Sequence, residues 1–139
     1  MTPERKLERA PAIESRFIEI AAAADAGTGI PMTIVRGKRP GPVLALIAGN
    51  HGYEYPPILA LQRLRGQIDP AELGGTILMV HAANMPSFLG RTVYYSPVDG
   101  KNLNGCIPAK PTGSTALMSP RKSCPKAWKA HRGRLISVA

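Results

Sequence analysis

The chain has 139 residues, 44% of them apolar and 19% charged, which suits one soluble domain with a modest core and excludes a disordered or collagen-like polymer. Its formal charge is +9, a balance that by itself points to an anionic partner such as nucleic acid or a membrane surface. The excess sits at one end: residues 1–104 hold 11 Lys/Arg against 9 Asp/Glu, whereas residues 105–139 hold 7 Lys/Arg and no acid.

In chain order, residues 1–15 read as an N-terminal extension in which charges and prolines alternate without the apolar core of a secretory signal. Arg16 to Ile20 alternates polar and apolar residues and predicts a strand; after a turn-rich break at Asp25 to Gly29, a second strand is expected near Met32 to Val35, so the two form a hairpin. Gly37 to Gly41 is a basic loop, and Pro42 to Ala48 is a continuous apolar run of the kind a strand buried on both faces requires. Pro57 to Gly66 has helical spacing, with Ile58, Leu61 and Leu64 near one face and the Pro56-Pro57 pair suited to a first turn. Thr76 to His81 reads as another buried strand. Strand, helix and strand in succession predict a βαβ unit and an α/β sheet.

From Ala82 onward the period fades into loop chemistry at Asn84 to Pro86, Ser96-Pro97, Asp99-Gly100 and Asn102 to Asn104, and loops beyond parallel strands are where α/β proteins keep their sites. From Ala109 no element is expected. The longest apolar runs, Ile20 to Ala24 and Val43 to Ala48, are far too short to span a bilayer, so a cytoplasmic location is the default. Cys106 and Cys124, without secretory context, do not form a disulfide framework.

The sharpest feature is Ala48-Gly49-Asn50-His51-Gly52-Tyr53-Glu54, placed directly after the buried strand. A His and a Glu three residues apart at a strand-to-helix turn can direct an imidazole nitrogen and a carboxylate at one cation, and zinc accepts that pair. A polar loop that happens to contain both residues is the alternative. His81, at the end of a predicted strand, reads as a satisfied rim histidine.

Several ordered segments together carry a resemblance: Ile30-Pro31, Gly37, Pro40-Gly41-Pro42, Ala48 to Glu54, Asn84-Met85-Pro86-Ser87-Phe88, and Asp99-Gly100-Lys101-Asn102-Leu103-Asn104. Over residues 16–104 the chain resembles the succinylglutamate desuccinylase/aspartoacylase family, zinc-dependent deacylases related to the zinc carboxypeptidases. The resemblance implies a zinc carboxypeptidase-like mixed sheet with flanking helices, one Zn2+ ion, and His51 and Glu54 as its first two ligands. It implies that Asn104 helps hold a substrate carboxylate, and that Arg91 is similar in placement to an arginine that polarises the scissile carbonyl, with a solvated surface arginine as the alternative. The implied substrate is a small N-acyl amino-acid-like molecule, cleaved at an amide or related ester; no membrane partner is implied.

The departures from that pattern carry equal information. Where the family motif continues from Asn104 with Arg, this chain has Gly105, which cannot replace the charge. The family's later strand ending in a third ligand histidine, and its glutamate general base, are not recognisable; no Asp or Glu follows Asp99. His131 stands among Lys129, Arg132 and Arg134, and adjacent cations disfavour a second cationic centre; with Cys124 it does not match zinc-finger spacing. The basic tail has three readings: a solvated extension, a nucleic-acid arm, or sequence read out of frame after about residue 105. Trp128 is the tail's only aromatic, which disfavours nucleic acid.

The expectation is an α/β chain divided as extension 1–15, partial deacylase domain 16–108 and irregular basic tail 109–139, apparently truncated. Its hydrolase activity is expected to be impaired for want of the third ligand, the base and the motif arginine. The alternative is a non-catalytic module whose tail binds an anionic polymer.

Overall fold

The computed structural model describes residues 10–20, 28–106 and 134–137. The elements run β1 (Ala12–Ile20), β2 (Thr28–Arg36), β3 (Arg39–Ile47), α1 (Tyr55–Arg65), β4 (Gly74–Val80), α2 (Met85–Gly90), a 3-10 turn (Leu103–Cys106) and β5 (Arg134–Ser137). The strands form one mixed sheet in the order β1-β2-β4-β3-β5. β1 and β2 pair antiparallel, as do β2 and β4, whereas β3 runs parallel to both β4 and β5.

The expected hairpin is present, and both strands exceed their alternating cores because cross-strand pairing extends from Ala12↔Arg36 to Ile20↔Thr28. Its turn residues Asp25 to Gly27 lie outside the described residues. The expected βαβ unit is β3-α1-β4. In α1, Ile58 and Leu61 are buried and Leu64 is half-buried, as the spacing requires, and a proline occupies the first turn, where no intrahelical N–H bond is lost.

Alternation along the strands divides the core between two faces. On one face Val35, Leu46, Ala48 and Met79 pack with Ile58 and Leu61 of α1. On the other, Met32, Ile34, Val43, Ala45 and Leu78 form a second cluster. Burial on both faces explains why β3 and β4 read as unbroken apolar runs. A third cluster, Ile30, Ala83 and Leu103, ties the 3-10 turn to the end of the sheet. Leu103 therefore anchors the Asp99 to Asn104 segment beside the C-terminal ends of β3 and β4.

Two elements differ from expectation. Met85 to Gly90, read as part of a loop, is a helix: the Asn84 side chain accepts a hydrogen bond from the Ser87 N–H, and Pro86 fits the first turn. Six residues are too few to show a helical period. Residues 134–137, inside the stretch read as an irregular tail, form β5, with Leu44 opposite Arg134 and Ile47 opposite Ser137. A four-residue strand is likewise too short for a readable pattern, and its existence depends on the β3 edge. Among the described residues, no helix is long and apolar enough to cross a membrane.

Candidate active site

β3 and β4 end side by side, and the chain continues the sheet's pairing past both ends. Ala48 donates to the Val80 carbonyl at 2.9 Å, and the Ala83 and Asn84 N–H groups donate to the Ala48 and Gly49 carbonyls, each at 2.9 Å. Gly49 then takes φ +72, a left-handed turn that lets residues 50–54 fold back over the sheet end before α1 begins. Gly52 packs face to face with α2: a Cβ built on it would lie 2.0 Å from the Ser87 carbonyl oxygen and 2.5 Å from that of Thr92. Both glycines in the motif are thus needed to bring its side chains together.

That turn fixes Glu54. Its Oε2 accepts the Asn50 N–H at 2.8 Å and the His51 N–H at 3.2 Å, which leaves Oε1 directed at His51 Nδ1, 2.6 Å away. The far side of the imidazole is fixed as well, with Nε2 2.9 Å from Asn102 Oδ1. This oxygen also accepts the Asn104 backbone N–H at 3.0 Å, so it is the carbonyl end of the carboxamide that faces the ring. Nε2 consequently carries a proton and donates it to Asn102.

The consequence falls on the other nitrogen. In the neutral ring Nδ1 is then a lone pair facing a carboxylate oxygen, and two acceptors at 2.6 Å repel unless a cation lies between or beside them. Either a proton or a metal ion meets that demand. The donor set, one imidazole nitrogen and one carboxylate held by backbone N–H groups, suits zinc. Among the described residues no group of three His, Cys, Asp or Glu completes a metal site.

An aromatic wall flanks the imidazole. Tyr94 meets the His51 ring edge-on at 5.4 Å between centroids, and Tyr53 meets Tyr94 edge-on at 5.7 Å. The hydrogen bond between the two tyrosines is the largest cause raising the Tyr53 phenol above its ordinary value of 10.0, so it stays protonated at neutral pH.

The structure brings His51 and Glu54 together as the sequence predicts, and it places Asn104 at the same end of the sheet, exposed on the 3-10 turn. Arg91 is the left-handed C-cap of α2, with φ 52, and is exposed. No described hydrogen bond or ion pair joins its guanidinium to His51 or Glu54. His131, Cys124 and the tail from 107 to 133 lie outside the described residues. Sequence reasoning missed Asn102, two positions before Asn104 in the same motif. Only a contact across 51 residues reveals its role. The sequence signature described as the succinylglutamate desuccinylase/aspartoacylase catalytic domain matches residues 40–131, which include the entire His51, Glu54 and Asn102 cluster.

The chain belongs to the succinylglutamate desuccinylase/aspartoacylase family. The match continues past Asn104 into the acid-free stretch, further than the ordered motifs reach by eye. An N-alpha-acetyl-L-2,4-diaminobutyric acid deacetylase from Halomonas elongata is 41% identical over 86 residues, which is 61% of this chain and 24% of that relative. A crystal structure of an aspartoacylase family protein from Mesorhizobium loti superposes with a TM-score of 0.75 at 23% identity, covering 93% of this chain and 40% of that one. A metallo-carboxypeptidase from Burkholderia cenocepacia gives 0.59 at 18% identity, covering 88% of this chain and 35% of that one. The fold of this family member is therefore the carboxypeptidase-like mixed sheet with flanking helices. The chain spans well under half the length of each of these proteins.

Proposed function

We propose that this chain carries the zinc-dependent hydrolytic site of an N-acyl amino-acid deacylase, acting on an amide or related ester of a small acylated substrate. The observation that carries the reading is the His51 Nδ1 to Glu54 Oε1 approach at 2.6 Å, with the ring orientation dictated by Asn102. One zinc ion held by His51 and Glu54 would supply Lewis acidity and a water whose pKa falls toward neutrality. Glu54 keeps its liganding oxygen aimed because two backbone N–H groups hold the other one. Asn102 keeps the His51 lone pair on the same side. Asn104 would bind the substrate carboxylate, and Arg91 would stabilise the developing oxyanion.

The same reading makes the activity of this chain weak. Gly105 follows Asn104 where the family resemblance calls for an arginine, and residues 134–137, which lie parallel to β3, contain no histidine. Loss of one positioned charge typically costs orders of magnitude in rate. The test is amine release from N-acetyl and N-succinyl amino acids by the full chain. Slow turnover that a chelator abolishes is expected, and turnover indifferent to the chelator overturns the proposal.

A change at Asn102 tests the support of the ligand rather than the ligand itself. Asn102→Ala removes the acceptor from Nε2 and is expected to weaken zinc binding by about ten- to a hundredfold, the usual effect of losing such a partner. Asn102→Asp, which keeps an oxygen in place, should retain it. Competition with a chromophoric chelator reads both, and equal affinity in the alanine variant would remove Asn102 from the site.

A further inference from the structure

A second polar cluster lies apart from His51, where α1 and α2 leave part of the β1-β2 hairpin uncovered. A cavity of about 520 Å3 opens there. Within it Ser15 Oγ lies 2.9 Å from Thr33 Oγ1, which in turn lies 2.8 Å from His81 Nε2. His81 is only 9% exposed, and its Nδ1 has no hydrogen-bond partner among the described residues. It is therefore not the satisfied rim histidine that its position predicts. A buried donor or acceptor left unpaired costs about 1–3 kcal/mol, so an orphaned nitrogen lining a cavity marks a place for a ligand atom.

The cavity's charge indicates the ligand's sign. Arg16 and Arg65 both line it and no acidic residue does. Burial is the larger cause lowering the His81 pKa, followed by the nearby Arg65 charge, so the ring is neutral at pH 7. A neutral ring can donate from Nδ1 if Nε2 accepts from the Thr33 hydroxyl, whose oxygen then accepts from Ser15. Every member of the chain is satisfied in that arrangement except the Nδ1–H. The remaining walls are apolar: Phe17, Ile58, Met85 and Phe88. Phe17 is 61% exposed, a large apolar surface with no covering among the described residues.

We infer that this cavity binds an amphipathic monocarboxylate, with the carboxylate between Arg65 and the His81 ring and the apolar body against Phe17 and Phe88. Arginine suits the anion because its planar fork matches a carboxylate, and the volume falls within the range of small-molecule sites. This site is separate from the His51 centre and does not depend on the reading given to that centre.

Octanoate is the probe, titrated into the full chain while the histidine ring resonances are followed by NMR. A Kd of about 1 mM or tighter is expected from a ligand of that size, with movement of the His81 signals and none at His51. Arg65→Gln is expected to weaken binding about tenfold, as loss of a charge-assisted bond does. Because Arg65 is exposed in the last turn of α1, the variant should fold; if it does not, Arg16→Gln serves in its place. Octanamide, the neutral counterpart, should bind at least about tenfold more weakly. His51→Ala should bind octanoate like the parent. Unmoved His81 signals, equal binding of octanamide, unchanged affinity in the arginine variant, or loss of binding in His51→Ala each overturns the inference.

Discussion

Replacing His51 by alanine is expected to strip the chain of zinc, lowering affinity by more than about a hundredfold, beyond what loss of a mere supporting partner costs. Only two convergent donors are found among the described residues, so removal of one leaves a lone carboxylate. Glu54 itself stays in place, because its Oε2 is held by the backbone N–H groups of residues 50 and 51, and these survive the substitution. The alanine also frees Asn102 Oδ1 on one side, although the Asn104 N–H still donates to it. What the fold loses is the ring's edge contact with Tyr94 and some buried area, about 1–2 kcal/mol in all. Metal content after dialysis, measured beside a thermal melt, separates the two effects. A folded His51→Ala protein with as much zinc as the parent would falsify the metal assignment.

Gly52→Ala is expected to have the largest effect on folding. Its added methyl group would meet the Ser87 carbonyl oxygen at 2.0 Å and the Thr92 oxygen at 2.5 Å, both backbone atoms that no rotamer change can move. To accommodate it, the turn from Gly49 to Glu54 must separate from α2. Overpacking of a close contact costs about 1–3 kcal/mol even where side chains can yield, so about 3 kcal/mol or more is expected here. That is a large share of the roughly 5–15 kcal/mol that holds a domain together. Gly74→Ala is the matched control, since a methyl group there meets nothing within 4 Å. Urea unfolding should leave Gly74→Ala close to the parent and shift Gly52→Ala far below it. If the two variants unfold alike, the tight approach of the motif to α2 is wrong.

The charge imbalance looks different once the fold is in view. The sheet, its two-sided core and the His51 cluster all lie in the part of the chain where cations and acids nearly balance. Apart from β5, the basic stretch falls outside the described residues, so the arm for an anionic polymer has no support from the fold. The cationic feature with a structural argument behind it is smaller: Arg16 and Arg65, drawn from β1 and α1, face one cavity. Neither stands out in a tally of charges.

What the amino-acid sequence determined by itself is whatever depends on neighbours within a few residues. The alternation of β1, the apolar runs of β3 and β4, and the Ile58, Leu61, Leu64 face of α1 are local periods, and they sufficed for the hairpin and the βαβ unit. The spacing of His51 and Glu54 is local too, since both sit in one turn. Tertiary structure alone decided the rest, because its causes lie far apart along the chain. Asn102 reaches His51 across 51 residues, and Thr33 reaches His81 across 48. The four residues of β5 become a strand only beside β3, and α2 is too short for its period to be seen. A side chain's element can be read from its neighbours in sequence, but the hydrogen-bond partner of a buried imidazole depends on which strand ends the sheet brings together.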